Sequence, residues 1–248
     1  MNLILDIGNS CCKISVFENN TLIDKQIVKS SKEEIISSVN KINKVYRVDN
    51  AIFSCVGLIE KEIEDFLKNI FPNILFFSSF TKSPIKNKYL TPEKLGIDRL
   101  AAACGAFFLF PNKDCLIIDA GTAVTFDYLN CFGEFLGGNI SPGIHLRFAS
   151  LYEHTAKLPL IETFDWYDGF GNDTHSAILS GVLTGLKHEI EGYISDFEAL
   201  KPDSKIILTG GDTFFLAKKL KNTIFAEPNL VSIGLNGILN YNVSKKDF

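Results

Sequence analysis

Two aspartates occupy equivalent places in two similar stretches of the chain. LILDIGNS (residues 3–10) and LIIDAGTA (residues 116–123) share an apolar run, an Asp, one small or apolar residue, a Gly and a polar residue. The aspartates are Asp6 and Asp119. A carboxylate beside glycine-rich backbone amides can hold a hard cation, which neutralises phosphate charge. A single Asp-x-Gly is more often a turn in which the Asp caps local amides, but two matched copies favour loops that clamp a nucleoside triphosphate.

A second candidate site lies in TPEKLGIDRLAAACGAF, residues 91–107. Leu100 and Cys104 supply part of the apolar face of a helix and leave Asp98 and Arg99 near its first turn. A carboxylate there can accept the proton of a substrate hydroxyl during phosphoryl transfer, and the guanidinium can hold an anionic or polar group. A surface Asp placed favourably at a helix start, with Arg99 as its ion-pair partner, explains the same residues.

Two glycine-rich segments offer further backbone amides. GGNISPG, residues 137–143, has the glycine and proline density of a constrained turn. ILTGGD, residues 207–212, reads as a strand that ends in Gly-Gly before a helix, a setting that suits the adenosine or phosphate part of a nucleotide. A plain β-turn is the commoner explanation of residues 137–143, and residues 207–212 are also explained by a tight strand-to-helix turn, so neither segment decides the function alone.

To bring these candidate site residues together, strands must end at the aspartates and helices must begin beside them. Alternating strands and helices predict an α/β fold, and the internal repeat at half the chain length predicts two related halves with a cleft between them. We place the halves at residues 1–110 and 111–248. The predicted strands are 2–7, 13–17, 21–28, 51–56, 73–77, 115–119, 205–209 and a short one after 221; the predicted helices are 31–43, 60–69, 92–110, 173–198, 212–221 and 230–241.

Composition restricts the function further. The net charge is −4, with 46% hydrophobic and 22% charged residues, which argues against a nucleic-acid or anionic-membrane partner. No stretch reaches the ~18 uninterrupted apolar residues of a membrane span. The six cysteines contain no Cys-x-x-C pair and favour reduced thiols in a cytoplasmic protein.

The longest predicted helix carries a stripe of small residues, Ala177, Gly181 and Gly185, at intervals of four. Glycine costs a helix about 1 kcal/mol relative to Ala. Two glycines on one stripe therefore indicate close approach by another backbone, either from an internal helix or from a second subunit.

Taken together, these residues resemble the type III pantothenate kinases, in the superfamily of acetate and sugar kinases, heat-shock chaperones and actin. DIGNS resembles the first phosphate motif, LGIDR the Gly-x-Asp-Arg motif, IDAGTAVT the second phosphate motif and TGGD the adenosine-side motif. GGNISPG and TAKLP (residues 155–159) are similar to two further family segments. The resemblance runs in order across nearly the whole chain.

The resemblance implies a duplicated ribonuclease-H-like fold of the actin-like ATPase type, working as a homodimer. It implies phosphorylation of the primary hydroxyl of pantothenate, the first step of coenzyme A biosynthesis. ATP would be the phosphate donor, with Mg²⁺ and a monovalent cation, K⁺ or NH₄⁺. Two other functions are conceivable on this scaffold: a regulatory or binding protein without catalysis, and a kinase for another small acid or sugar.

The resemblance also implies roles for particular residues. Asp98 would be the general base, Asp6 would serve Mg²⁺, and Asp119 would bind the monovalent cation. Thr174 would reach the facing subunit's site. The residues that would line ATP are Asp6, Ile7, Gly8, Asn9, Ser10, Cys11, Cys12, Lys13 and Thr122; those that would contact pantothenate are Tyr89, Gly96, Ile97, Asp98, Arg99 and Thr174.

The chain departs from the family pattern in two places. Cys11-Cys12 follows Asn9-Ser10, where the family usually has Asn-Thr and then polar residues. Gly171-Asn172-Asp173-Thr174 stands where the family commonly shows Gly-Arg-Asn-Thr. The second departure removes an arginine and adds a carboxylate.

Overall fold

A computed structural model describes residues 1–8, 11–57 and 60–245. Its helices and strands alternate, which confirms the predicted α/β class. The chain divides into two compact units. The first holds the described residues of Met1–Asn112, Leu129–Leu136 and those from Asn229 onward; the second holds Lys113–Tyr128 and Gly137–Pro228.

The elements have the following bounds in chain order. The strands are β1 (Asn2–Ile7), β2 (Cys12–Glu18), β3 (Thr21–Val28), β4 (Asn50–Cys55), β5 (Ile74–Phe76), β6 (Lys86–Asn87), β7 (Cys115–Ala120), β8 (Ala123–Leu129), β9 (Glu134–Pro142), β10 (Lys205–Thr209) and β11 (Phe225–Ala226). The helices are α1 (Lys32–Val45), α2 (Lys61–Ile70), α3 (Ile97–Leu109), α4 (Ile144–Glu153), α5 (Thr174–Leu200), α6 (Thr213–Ala217) and α7 (Leu230–Lys245), with a 3₁₀ turn at Pro92–Lys94.

Each unit is organised around a sheet whose first strand is central. In the first unit the order is β3-β2-β1-β4-β5; β1 pairs antiparallel with β2 and parallel with β4. The second sheet has the order β6-β9-β8-β7-β10-β11; its strands from β9 to β11 repeat this arrangement, β6 is added beside β9, and β7 is parallel to β10. The strands that carry Asp6 and Asp119 therefore hold the same place in two sheets of the same order, which confirms the predicted duplication.

The two faces of β1 have different partners. Leu3 and Leu5 lie in an apolar core with Ile35 and Val39 of α1. Because side chains alternate along a strand, Asn2 and Asp6 point to the opposite face. The Nδ2 of Asn2 donates hydrogen bonds to Oδ1 of Asn236 (2.8 Å) and of Asn240 (2.7 Å), so α7 packs against the face of β1 that carries Asp6.

Helix α7 also packs closely against α3. A Cβ atom on Gly234 would overlap the carbonyl oxygen of Ala101, and one on Gly105 would overlap that of Leu230. Glycines at these crossings let the two backbones approach. The contact fixes α3, and with it Asp98 in its first turn, on the face of the sheet where Asp6 lies.

Helix α5 begins with a capping box. The carboxylate Oδ1 of Asp173 accepts a hydrogen bond from the backbone N–H of Ser176 (2.8 Å), and the Ser176 hydroxyl accepts one from the N–H of Asp173 (3.2 Å). These hydrogen bonds lower the pKa of Asp173. The carboxylate that departs from the family pattern therefore stabilises the start of this helix.

Three predicted elements differ from the structure. The helix predicted at 92–110 is interrupted, because a 3₁₀ turn ends before Gly96 and α3 starts afresh with Gly96 as its N-cap. The turn predicted at 137–143 is mostly strand β9. Helix α6 is five residues long and ends at Ala217 instead of 221. None of the helices in the described parts of the chain is long and apolar enough to cross a membrane.

Candidate active site

Asp6 is a buried carboxylate with an unused acceptor. Its side chain is 5% exposed, and among the described residues its Oδ1 has no hydrogen-bond partner. Burial raises the pKa of Asp6 to about 6; the positive charge of Lys13, directly opposite on β2, lowers it, the negative charge of Asp98 raises it, and the Ser54 hydroxyl lowers it. Asp6 and Asp98 are thus close enough to interact electrostatically, and a cation at Oδ1 would offset the cost of ionising Asp6.

The described residues in and next to the loop after β1 lie in different environments. The N–H of Gly8 donates to the carbonyl oxygen of Cys11 (3.0 Å); Asn9 and Ser10 lie outside the described residues. Cys12 belongs to the apolar core, and burial raises its pKa to about 12. Its side chain is therefore a neutral core thiol and not a ligand for a phosphate. Ile7 also packs on that core.

Asp98 is positioned by the start of α3. Its Oδ1 accepts a hydrogen bond from the N–H of Arg99 (2.9 Å). A Cβ on Gly96 would lie 2.6 Å from that oxygen, so a larger residue would displace the carboxylate. Ile97, the first residue of α3, is half-buried. The motif LGIDR therefore builds one local structure in which the glycine leaves room for the carboxylate.

The structure brings together Arg99 and Tyr89. The Arg99 side chain is 7% exposed, and its guanidinium carbon lies 5.7 Å from the ring centroid of Tyr89 and 5.9 Å from that of Phe135. These distances are those of cation–π contacts. Sequence reasoning missed Phe135, because it lies on β9, far along the chain from the Gly-x-Asp-Arg motif.

Three motifs meet around the hairpin turn after β7. The N–H of Gly143 donates to the carbonyl oxygen of Thr122 (3.0 Å), and the N–H of Asp212 donates to that of Ala120 (3.0 Å). A Cβ on Gly143 would overlap the oxygen of Gly121. The second phosphate motif is therefore held by the glycine-rich segment on one side and by the TGGD turn on the other.

The TGGD turn also approaches Asp119. Thr209 pairs directly with Asp119, and Gly210 has a φ of +96°, a conformation that favours glycine. A Cβ on Gly210 would lie against the Asp119 carboxylate and the Ala120 carbonyl. Carboxylate and carbonyl oxygens together are suitable ligands for a hard cation.

The donor set limits how a cation could be held. Within the part of the chain that the structure describes, no three His, Cys, Asp or Glu side chains are grouped so as to hold a metal ion. Mg²⁺ commonly binds through one or two carboxylates together with substrate phosphates and water. Asp6, with its buried free acceptor, fits that pattern.

Thr174 is exposed as the first residue of α5. The next residue, His175, lines an open cavity of about 450 Å³ together with the aromatic segment before the helix. Asp119 and Thr122 do not line this cavity. Its lining residues are Thr163, Phe164, Asp165, Trp166, Tyr167, His175 and Leu179.

Arg147 holds the end of the glycine-rich segment in place through hydrogen bonds. Its Nε donates to the carbonyl oxygen of Pro142 (2.8 Å) and its NH2 nitrogen to the Ser141 hydroxyl (2.8 Å); it also pairs with Glu189 of α5. Because Gly143 follows directly and bonds to Thr122, Arg147 supports the second phosphate motif through this segment. A planar guanidinium group can donate to these three acceptors at once, whereas the ammonium group of a lysine cannot reach all of them.

We expect Arg147→Ala to lower the free energy of unfolding by about 1–3 kcal/mol, because hydrogen bonds to the Pro142 carbonyl and the Ser141 hydroxyl and an ion pair with Glu189 are lost. Arg147→Lys should lose roughly half as much, since one ammonium cannot reach all three acceptors. Urea unfolding measures both. Arg47→Ala is the matched control, because the Arg47 side chain is 95% exposed. Equal stability of the Arg147→Ala and Arg47→Ala variants would contradict this role.

Comparisons with known proteins identify the family of this chain. The family model described as type III pantothenate kinase matches residues 2–196. A type III pantothenate kinase from Porphyromonas gingivalis is 41% identical over 245 residues, covering 98% of this chain and 99% of that protein. One from Bacteroides fragilis is 40% identical over 242 residues, with 98% of each chain covered.

A solved structure shares the fold. The activator of the 2-hydroxyisocaproyl-CoA dehydratase from Clostridium difficile, with bound ADPNP, has a TM-score of 0.57 at 13% identity, covering 100% of this chain and 97% of that one. The two relatives span nearly all of the strands, turns and helix starts described above, and the family model spans those up to residue 196. The chain belongs to the type III pantothenate kinase family.

Proposed function

We propose that this protein transfers the γ-phosphoryl group of ATP to the primary hydroxyl of pantothenate, the first step of coenzyme A biosynthesis. The observation that carries the proposal is the pair Asp6 and Asp98. In a member of this family, a buried carboxylate with a free acceptor lies within electrostatic reach of a second carboxylate at a helix start. Arg99 follows this second carboxylate in the chain, and its guanidinium lies over the ring of Tyr89.

In this mechanism Asp98 accepts the proton of the pantothenate hydroxyl. The hydroxyl oxygen forms a bond to the γ-phosphorus while the bond from that phosphorus to the β–γ bridging oxygen breaks, and ADP leaves. The proton on Asp98 then passes to solvent. Arg99 and Tyr89 hold the substrate so that its hydroxyl stays near Asp98, with Gly96 and Ile97 shaping the same wall.

We assign the cation sites to Asp6 and Asp119. A divalent cation, Mg²⁺, would supply charge neutralisation to the ATP phosphates. Asp6 would hold it through Oδ1, and Lys13 would add positive charge. Asp119, beside the carbonyl of Ala120, would hold K⁺ or NH₄⁺.

The remaining ATP contacts would come from backbone amides and Thr122. Gly8, Cys11 and Cys12 would contribute through their backbones, and Asn9 and Ser10 complete this predicted set. In the second unit, the turn that contains Thr122 is held in place by Gly143 and Asp212, which supports its assignment to the phosphates.

We further propose a homodimer in the cytoplasm. Gly181 and Gly185 are exposed on α5, and no described atom outside their own helix lies within 4 Å of a Cβ built on either. An internal helix is therefore not their partner among the described residues, which leaves a second subunit. Thr174 at the start of the same helix would complete the facing subunit's site. Six free cysteines suit a reducing compartment.

One assay tests the reaction. ADP release is measured with and without pantothenate, first in potassium and then in sodium. We expect release that depends on pantothenate and is faster in potassium. No turnover with pantothenate would reject the proposed reaction. Turnover with a sugar or another small acid instead would show that this compound, and not pantothenate, is the substrate. Equal rates in potassium and sodium would reject only the cation assignment.

A further inference from the structure

Within the described residues, one polar atom of the Asn87 side-chain amide is hydrogen-bonded and the other is not. Its Oδ1 accepts a hydrogen bond from the backbone N–H of Tyr89 (2.9 Å), which fixes which end of the amide is the oxygen. Its Nδ2 is buried and has no hydrogen-bond partner among the described residues. Buried polar groups in folded proteins are nearly always paired, so this donor needs an explanation.

The strand register places this amide at the Tyr89–Arg99 wall. Asn87 stands opposite Phe135, and paired residues on neighbouring strands point to the same face of a sheet. The N–H of Lys88 donates to the carbonyl of Phe135 (2.9 Å), so the pairing continues past Asn87. The ring centroids of Tyr89 and Phe135 are 6.3 Å apart. Asn87, Tyr89 and Phe135 therefore share one face.

The same face carries a buried cation. The guanidinium of Arg99 lies over both aromatic rings, and Asp98 precedes it in the first turn of α3. Asn87 thus adds a neutral donor to a wall that already holds a cationic donor and two rings.

We propose that Nδ2 of Asn87 donates a hydrogen bond to a carbonyl oxygen of bound pantothenate and so helps to determine substrate specificity. This inference rests on the proposed function. The acceptor is either the amide carbonyl or the carboxylate of the substrate, since the primary hydroxyl belongs to Asp98 and the secondary hydroxyl is a weaker acceptor than either carbonyl group. A site that buries such a donor discriminates strongly against ligands that leave it unpaired.

The sharpest test is Asn87→Asp. The substituted side chain keeps its shape and an oxygen for the N–H of Tyr89 but replaces the donor with an acceptor. We expect the KM for pantothenate to rise about ten- to a hundredfold, with kcat and the KM for ATP within about twofold of wild type. Isothermal titration with pantothenate should show the same loss of affinity. Asn112→Asp, which adds the same charge at an exposed position of the first unit, should change neither constant.

A second variant separates the lost donor from the added charge. Asn87→Ala should raise the KM for pantothenate about tenfold while thermal unfolding shows a folded protein. Pantothenol, in which an alcohol replaces the carboxylate, then locates the acceptor. If Asn87→Asp also weakens pantothenol, the acceptor is the amide carbonyl; if pantothenol is unaffected, it is the carboxylate.

Two results would overturn the proposal. One is a KM for pantothenate within about twofold of wild type in both folded variants. The other is a fall in kcat, or a matching rise in the KM for ATP, without a specific loss of pantothenate affinity, because that pattern indicates a structural role. Wild-type turnover with pantothenate decides the proposed function separately, so the two failures are distinguishable.

Discussion

Asp98→Asn is expected to reduce kcat for pantothenate phosphorylation by about 10²- to 10⁴-fold, the usual contribution of a general base. The amide has the same shape but cannot accept the substrate proton. Its Oδ1 can still accept the hydrogen bond from the N–H of Arg99 that Asp98 accepts now, so the start of α3 should stay intact. Steady-state ADP release measures the loss, and titration with ATP should show unchanged binding.

Asp65→Asn is the matched control for this experiment. Asp65 is exposed on α2 of the same unit, and its substitution removes the same charge without touching the site. Asp98→Asn should also lower the pKa of Asp6, because the negative charge of Asp98 raises it. Near-wild-type turnover in a folded Asp98→Asn protein would eliminate Asp98 as the base.

Asp6→Asn is expected to stabilise the ligand-free protein while abolishing most of its turnover. Folding raises the pKa of Asp6 from 3.8 to about 6, chiefly through burial. The contribution of Asp6 to stability is therefore fully present below about pH 4 and is lost as the pH rises through about 6. A shift of that size corresponds to at most about 3 kcal/mol at neutral pH, which the neutral Asn would recover.

Urea unfolding from about pH 4 to pH 8 measures this effect. The difference in free energy of unfolding between Asp6→Asn and wild type should be near zero at the acid end and grow toward neutral pH. Mg²⁺ and ATP together should stabilise wild type more than the variant, because Asp6 is the assigned cation ligand. A variant less stable than wild type at pH 8 would show that the ionised carboxylate has a partner that stabilises it.

Local patterns in the sequence were sufficient to predict several elements. The helix predicted at 31–43 is present as α1, and the hydroxyl of Ser31 at its start accepts a hydrogen bond from the N–H of Glu34. The 3.6-residue period of α5 predicted its bounds to within two residues. These signals are contained within one element, so tertiary packing did not override them.

Other elements depend on contacts that the local sequence does not carry. Gly137 and Gly138 favoured a turn, yet both lie in β9. A Cβ on Gly138 would overlap the carbonyl oxygen of Phe126 on β8, so close approach of a neighbouring strand explains this glycine. Similarly, the helix predicted at 92–110 is interrupted before Gly96. The prediction took no account of the space beside Gly96 that the Asp98 carboxylate occupies.

The residues of the candidate site also fall into two groups: those that the local sequence predicts and those that depend on contacts with distant parts of the chain. The repeated Asp-x-Gly correctly predicted that Asp6 and Asp119 lie near the ends of equivalent strands. Asn87 was missed, although it lies two residues before Tyr89 and so shares its side of an extended chain; that spacing was the available signal. Phe135 gave no signal, because its contact with Arg99 depends on strand pairing. The roles of the site residues, and the division of the chain at residues 110 and 111, stay predictions.

The docking of α7 has a consequence for synthesis of the protein. Its partners on β1 and α3 leave the ribosome more than a hundred residues before Leu230 does. Until then the face of β1 that binds Asn236, and the groove at Gly105, lack their cover. Contacts this distant in sequence slow folding and leave apolar surface open to aggregation. The first unit, which carries Asp98, therefore reaches its native packing late, after nearly all of the second unit has been made.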